Sequence, residues 1–487
     1  MKLGSTTLQG SALPLGGHLF AGVPFAAPPV GKLRFRSPQP AVLPASPQAA
    51  DTFPPAPVQP RGFIPGIRDS AEDCLYLNVW TPDPDGRRPV VVWLYGGGFE
   101  GGSASPPQTS GEAMMRLGSL VIVTPNYRLG ALGFMHMAGL DGACANHSNL
   151  GHLDQIAALT WVRDHISAFG GDPANVTLAG ESAGAFSGAA LAAIPAAAGL
   201  FHKLLLVSGS ASRVLPAATA TAQARDVCDR VGAATLAELA RVSCRSILAA
   251  QDRAIDHDIG RRNGPGGRFW GGVLDGTVMT AHPAEAIRRG ALRAVPVLTC
   301  ATADEMRLFE LRHGRAYAPA DEAALLREMT AGVGAERASM LLRHYRSVYP
   351  DAHLARLRTA YLTDYIYRAR SAALAADQVA AGGRAWSLIF GFGSDRLGPL
   401  GGAHHGLVGA YLTGPDAGPE TAVGHPAARA VRARLVELVA TFARAGDPGW
   451  DEYRAGRAST LLLAPQHQLV ADPPAEVAGL WAGLAFP

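Results

Sequence analysis

Six short runs of the chain are continuously apolar rather than alternating: residues 89–95 (PVVVWLY), 120–124 (LVIVT), 176–179 (VTLA), 203–207 (KLLLV), 296–300 (PVLTC) and 385–390 (AWSLIF). A strand with one wet face alternates apolar and polar residues; a strand covered on both faces does not. The runs therefore predict the central strands of a covered, mostly parallel sheet. Helical spacing lies between them. Over residues 153–168 the apolar positions fall at Ile156, Leu159, Trp161, Val162 and Ile166. Alternation of strand and helix predicts an α/β protein. The Ala-rich segments 216–251 and 319–381 read as helical insertions into a single domain spanning residues 1–487. The most apolar stretch, 183–200, is rich in Ala and Gly and interrupted by Ser187 and Pro195, so it reads as a buried helix and not as a membrane span.

The predicted strand at 176–179 runs straight into Gly180-Glu181-Ser182-Ala183-Gly184, a G-x-S-x-G pattern, and a small-residue helical stretch follows. A nucleophilic serine needs this strand–turn–helix setting, because a sharp turn lifts its hydroxyl clear of the sheet. Glycines at 180 and 184 remove side chains where strand and helix nearly touch. The helix opening at Ala183 directs backbone N–H groups toward developing negative charge. Gly96-Gly97-Gly98-Phe99 directly follows the predicted strand at 89–95. Bare glycine amides can approach a substrate oxygen closely, and a tetrahedral intermediate needs such donors in place. The N–H groups of Gly97, Gly98 and Ala183 are the candidate oxyanion donors. Residues 96–101 also satisfy G-x-G-x-x-G, but a dinucleotide site requires a helix at once and an acid about 20 residues on. Here GSASPPQTSG follows, and the next strand ends in Thr124-Pro125-Asn126. Nucleotide binding is not expected.

Composition narrows the field further. Of 487 residues, 48% are hydrophobic and 17% charged, which suits a large core and argues against disorder. The net charge of +3 is small for this length and gives no reason to expect a nucleic-acid or anionic-membrane partner. The five cysteines, Cys74, Cys144, Cys228, Cys244 and Cys300, are odd in number and lack C-x-x-C spacing. Neither a disulfide framework nor a zinc site is expected. The opening MKLGSTTLQGSALPL has no apolar signal core, so the expected location is cytoplasmic.

Five segments resemble, in order, the signature motifs of the type B carboxylesterases, the family of the bacterial nitrobenzyl esterases and the cholinesterases. They are AGVPFAAPPVGKLRF (21–35), EDCLYLNVWTP (72–82), YGGGF (95–99), NYRLGALGF (126–134) and FGGDPANVTLAGESAGA (169–185). The resemblance runs almost the full chain. It implies an α/β-hydrolase fold, with a central mostly parallel sheet, flanking helices and helical insertions over the active site. It also implies the partners of Ser182. Residues 304–309 (DEMRLF) are similar to the family's D-E-G-x-x-F and place the acid at Glu305; residues 402–408 (GAHHGLV) are similar to G-A-x-H-G-x-E and place the base at His405. Asp304 and His404 adjoin these two and are the alternatives at each position. The order Ser…Glu…His is that of α/β-hydrolases. The resemblance further implies structural ion pairs Arg34–Glu72 and Arg128–Asp154. The implied activity is hydrolysis of small to medium uncharged carboxylic esters through an acyl-enzyme on Ser182. The expected partner is a small-molecule ester, with no cofactor, no metal, no nucleic acid and no membrane span, in a monomer or homodimer. An acyl transferase or dehydratase on the same scaffold is the main alternative, and a non-catalytic binding homologue a lesser one.

The chain departs from the family pattern at three places near the site. Met306 replaces the usual glycine after the acid, Val408 replaces a common glutamate, and His152 stands where an apolar residue is usual. Cys74 lacks an upstream cysteine, so the disulfide of secreted members cannot form there, in keeping with a reducing compartment. The N-x-S/T sites at Asn146 and Asn175 read as incidental. Phe99, Phe186, Phe269, Trp270, Phe309 and Phe392 are candidates for pocket walls, against a competing role in the core.

Overall fold

All six apolar runs lie side by side in one sheet. The computed structural model describes residues 1–3, 6–43, 47–67, 69–138, 147–393, 402–414 and 426–484. Cys144 and Asn146 lie outside these residues. The sheet has eleven strands among the described residues: β1 (Ser11–Ala12), β2 (His18–Pro24), β3 (Tyr76–Thr81), β4 (Arg88–Leu94), β5 (Val121–Pro125), β6 (Gly171–Glu181), β7 (Lys203–Val207), β8 (Val297–Thr302), β9 (Ala385–Phe390), β10 (Thr460–Leu463) and β11 (Gln468–Val470). Their spatial order is β11-β10-β9-β8-β7-β6-β4-β5-β3-β2-β1. The strands from β10 across to β5 are mutually parallel, and the outermost pairings on both sides are antiparallel.

Every residue of β5, β7, β8 and β9 is buried, which is why these strands do not alternate. Successive side chains still go to opposite faces. Val90, Val92 and Leu94 join one core with Leu159 and Val162 of helix α1 (Leu150–His165) and Ala185 and Ala189 of α2 (Ala183–Leu191). Val91 and Trp93 join a second core on the other face, with Val436, Val439 and Phe442. The apolar stretch 183–200 is not one helix. Helix α2 stops at Leu191, and Pro195, which has no N–H to donate, opens a separate 3₁₀ turn at Pro195–Ala197.

The two Ala-rich segments are helical. The first holds α3 (Ala217–Val231) and α4 (Cys244–Asp252), joined through a short turn capped by Thr235 and Glu238. The second holds α5 (Glu322–Val333), started by the Asp321 carboxylate accepting from the Ala324 N–H at 2.7 Å, then α6 (Ala335–Val348) and α7 (Leu354–Leu362). A π-helical turn, Thr363–Arg368, leads into α8 (Ala369–Ala380). A third core, formed by these helices through Leu325, Leu341 and Tyr361, also contains Phe99, Phe134, Ala183 and Phe186. These helices thus pack against the segment that carries Ser182. Helices α9 (Leu407–Thr413) and α10 (Pro426–Ala445) complete the covering layers.

The two implied ion pairs are present. Arg128 Nη2 meets Asp154 Oδ1 at 2.6 Å, its Nε and backbone N–H both reach Oδ2, and Asp154 is fully buried. Arg34 Nε lies 2.6 Å from Glu72 Oε2, and both side chains also contact the Cys244 thiol, which ties α4 to the N-terminal segment. Cys74, Cys228, Cys244 and Cys300 are free thiols. Among the described residues no helix is long and apolar enough to cross a membrane.

Candidate active site

Ser182 is the single residue between the end of β6 and the start of α2. Its backbone has φ 54° and ψ −120°, a conformation rarely adopted by a residue with a side chain. Two backbone hydrogen bonds hold it there. The Ser182 N–H donates to the Val207 carbonyl at the end of β7 at 2.9 Å, and the Ser182 carbonyl accepts from the Phe186 N–H at 2.9 Å. The turn is this tight only because residue 184 is glycine: a Cβ there would stand 2.0 Å from the Leu94 carbonyl oxygen of β4.

Glu305 lies three residues past β8 and is fully buried. Its Oε1 accepts from the Thr302 N–H at 2.7 Å, and its Oε2 lies 2.7 Å from His405 Nδ1. The His405 N–H donates to the Glu305 carbonyl at 3.1 Å, which fixes the two residues as a unit. His405 Nε2 lies 2.9 Å from Ser182 Oγ. A carboxylate can only accept, so Nδ1 carries the proton and Nε2 is left to accept from the serine hydroxyl. The two alternatives face elsewhere. Asp304 pairs with Arg356 at 2.6 Å on the partly exposed surface, and His404 Nδ1 lies 2.8 Å from the His405 carbonyl oxygen.

The glycine loop lies against this array. A Cβ on Gly96 would come within 3.0 Å of the Ser182 Cβ. Gly97 and Gly98 have φ of 132° and 64°, values open to glycine at little cost. Their carbonyl side closes on itself, with the Glu100 and Gly101 N–H groups donating to the Gly97 carbonyl at 3.0 and 3.1 Å. The N–H groups of Gly97, Gly98 and Ala183 donate to no protein acceptor among the described residues.

Comparison with known proteins shows the family. The sequence profile of the carboxylesterase family matches residues 4–468. The chain belongs to the carboxylesterase family. It is 33% identical to the para-nitrobenzyl esterase of Bacillus subtilis (strain 168) over 485 residues, covering 95% of this chain and 94% of the relative. Over 296 residues, 60% of this chain and 53% of the relative, it is 38% identical to the fumonisin B1 esterase of Sphingopyxis macrogoltabida. Among solved structures, the Geobacillus stearothermophilus carboxylesterase EST55 superimposes with a TM-score of 0.86 at 32% identity, covering 97% of this chain and 98% of the other. A thermophilic para-nitrobenzyl esterase gives 0.85 at 29%, covering 98% of each chain. These neighbours share the α/β-hydrolase fold.

Around the histidine, this carboxylesterase-family chain places two aromatic rings. Phe309 lies 5.4 Å and Tyr367 4.8 Å from the His405 ring, centroid to centroid. Tyr367 has no sequence signal; it comes from the π-helical turn, a feature frequent at functional sites. Burial pushes its hydroxyl pKa well up. Met306 is fully buried, and its N–H donates to Thr363 Oγ1 at 3.2 Å, tying the acid's turn to the same π-helical segment. Val408 is buried in α9, where the next N–H, of Gly409, donates to Glu181 Oε1 at 2.8 Å. Phe99 and Phe186 flank the serine turn in the shared core. Trp270 is buried in that core, and Phe392 packs edge-on against Tyr411 at 6.2 Å in the core of the opposite face. His152 stands among apolar neighbours, 5.3 Å from the Phe134 ring and 6.3 Å from the Phe99 ring. Burial lowers its pKa to about 4, and the charge of Asp275 opposes that shift only weakly. The sequence reading also missed two arginines beside the aromatic wall, Arg213 and Arg262. The second is paired with Glu100, the residue after Phe99.

Proposed function

We propose that this member of the carboxylic-ester hydrolase family is a serine carboxylesterase that turns over small to medium esters through an acyl-enzyme on Ser182. The observation that carries this reading is the unbroken relay from Glu305 through His405 to Ser182 Oγ, at 2.7 and 2.9 Å, set beside three undonated amides. Oγ attacks the ester carbonyl carbon while Nε2 takes its proton. The carbonyl oxygen becomes an oxyanion, and the N–H groups of Gly97, Gly98 and Ala183 stabilise it. The tetrahedral intermediate collapses, the C–O bond to the alcohol breaks, and Nε2–H protonates the departing oxygen. Water then attacks the acyl carbon as Nε2 takes its proton, and the same steps in reverse release the acid and restore Ser182. Glu305, held by the Thr302 N–H, stabilises the imidazolium at each transfer.

The relatives named above are called esterases, which favours hydrolysis over transfer. The test is covalent labelling with diethyl p-nitrophenyl phosphate. A single diethylphosphoryl group is expected on the peptide containing Ser182, with ester turnover lost in proportion. Turnover that persists in fully treated protein lacking that adduct would overturn the proposal.

A further inference from the structure

In parallel sheets, ligands gather beyond the C-terminal ends of the strands. The loop that leaves β7 at that end carries Arg213, a residue no part of the proposed chemistry uses. Arg213 is only 9% exposed. Its guanidinium carbon lies 4.6 Å from the ring centroid of Phe269, 5.8 Å from that of Phe186 and 5.9 Å from that of Phe99. Phe99 follows the glycine amides, and Phe186 lies one turn beyond Ser182, so two of the three rings around the cation belong to the segments that carry the candidate active site.

Nothing in the described protein neutralises this charge. Its Nε and Nη2 are buried without an acceptor, and no carboxylate of the described residues pairs with it. Arg128 and Arg358 are buried too, but the first is paired with Asp154 and the second with Asp258 and Glu328. The three ring faces around Arg213 compensate part of its lost hydration, but a ring quadrupole is a weak substitute for a counter-ion. Burial lowers its pKa to about 10, opposed only by the Tyr367 hydroxyl. A cavity of ≈ 80 Å³ opens beside it, bordered also by Thr219, Asn263, Phe269 and a second buried guanidinium, that of Arg370; no acidic side chain lines it. Arg370 Nε already donates to the Tyr365 carbonyl and Asn263 Nδ2 to the Ile259 carbonyl, so Arg213 is the lining cation with no protein acceptor among the described residues, and a space bordered by it and by no carboxylate suits an anion. A planar fork of N–H donors suits a carboxylate.

We infer that Arg213 binds a carboxylate carried by the ester substrate, so that the preferred substrates are half-esters of dicarboxylic acids or esters of hydroxy acids rather than the uncharged esters expected from the sequence. This rests on Ser182 being the nucleophile of an esterase, and it adds which esters reach it.

Two pairs of matched probes test the acyl and alcohol sides. Mono-p-nitrophenyl glutarate is compared with p-nitrophenyl valerate by colour release, and 5-acetoxyvalerate with pentyl acetate in a pH-stat. In one of the two pairs the wild-type protein is expected to show the higher kcat/KM on the charged ester, carried by a lower KM. Arg213→Leu is expected to reduce that charged-to-neutral ratio by about 30-fold or more, the scale of losing one partner of a desolvated charge pair, and Arg213→Lys to restore part of it. A ratio below one in both pairs for the wild type, or a ratio unchanged in Arg213→Leu, overturns the inference while leaving the esterase reading intact. Absence of turnover on all four esters defeats the esterase reading instead. Calorimetric titration of glutarate into Ser182→Ala protein then still decides the subsite: binding lost in Ser182→Ala/Arg213→Leu supports it, and binding that is absent or unaffected by the second change refutes it. A merely structural role is separated by the melting temperature, because deleting an unpaired buried charge is expected to leave it unchanged or raise it.

Discussion

Glu305→Gln changes one atom of a fully buried side chain and so isolates what the carboxylate does. The wild-type group accepts twice, from the Thr302 N–H at 2.7 Å and from His405 Nδ1 at 2.7 Å. An amide cannot serve both partners in the same way. If its oxygen stays on Thr302, its NH2 faces Nδ1, which must then become the acceptor. The imidazole proton moves to Nε2 and points at Ser182 Oγ, and the base is lost. If the amide flips, its NH2 meets the Thr302 N–H and leaves a buried donor clash worth about 1–3 kcal/mol. The first arrangement is therefore preferred, and it disables proton transfer while preserving packing. The expected loss in kcat is about 10⁴-fold, the effect of a forced tautomer in a serine triad, equivalent to about 5.5 kcal/mol. The assay is kcat on p-nitrophenyl butyrate, with thermal melts to show an unchanged fold. Asp304→Asn is the control: that carboxylate pairs with Arg356 on the partly exposed surface, so its loss is expected to cost less than about threefold in rate, as rim pairs contribute little. A rate loss below tenfold in Glu305→Gln, or a larger loss in Asp304→Asn, refutes the assignment of the acid.

Three further outcomes follow from other parts of the structure. Gly184→Ala puts a methyl group 2.0 Å from the Leu94 carbonyl oxygen, so overpacking is expected to cost about 1–3 kcal/mol in urea unfolding and to lower kcat by displacing Ser182; a wild-type midpoint would contradict the tight-turn argument. His152 is depressed from 6.5 to about 4 by burial. Between those values the unfolded chain binds the proton that the folded one refuses, so this contribution is complete above pH 6.5 and is lost as pH falls toward 4, at up to about 1.4 kcal/mol per pH unit. His152→Phe is expected to flatten the stability profile across that window, and equal slopes in both proteins would show that the histidine is not held neutral. Arg128→Met leaves the fully buried Asp154 without its cation and is expected to destabilise by about 3–5 kcal/mol in urea, with the Arg128→Met/Asp154→Leu pair recovering most of that; equal losses in single and double variants would argue against an uncompensated charge as the cause.

The central strands were legible because burial on both faces leaves an unbroken apolar run, and each of the six runs became a strand of the parallel sheet. The outer strands were not. Ser11–Ala12 and Gln468–Val470 are two and three residues long and largely exposed, so neither run length nor alternation marks them. The serine turn could be argued from residues alone, since its glycines and flanking elements have direct steric reasons. Glu305 and His405 could not, because each has a chemically similar neighbour, and only the family motifs separated them. Tyr367 was invisible: it reaches His405 from a π-helical turn whose composition differs little from an ordinary helix. Arg213 did carry a signal. It stands six residues past the run KLLLV, on the loop leaving the C-terminal end of a buried strand, where ligand-binding residues concentrate in such sheets.

Ser182→Ala, assayed for kcat on p-nitrophenyl butyrate with circular dichroism to establish folding, tests the central claim most directly. A folded protein is expected, with kcat lower by about 10⁶-fold, leaving only the residual catalysis of the oxyanion donors and binding. A folded Ser182→Ala protein that retains turnover within tenfold of the wild type would contradict it.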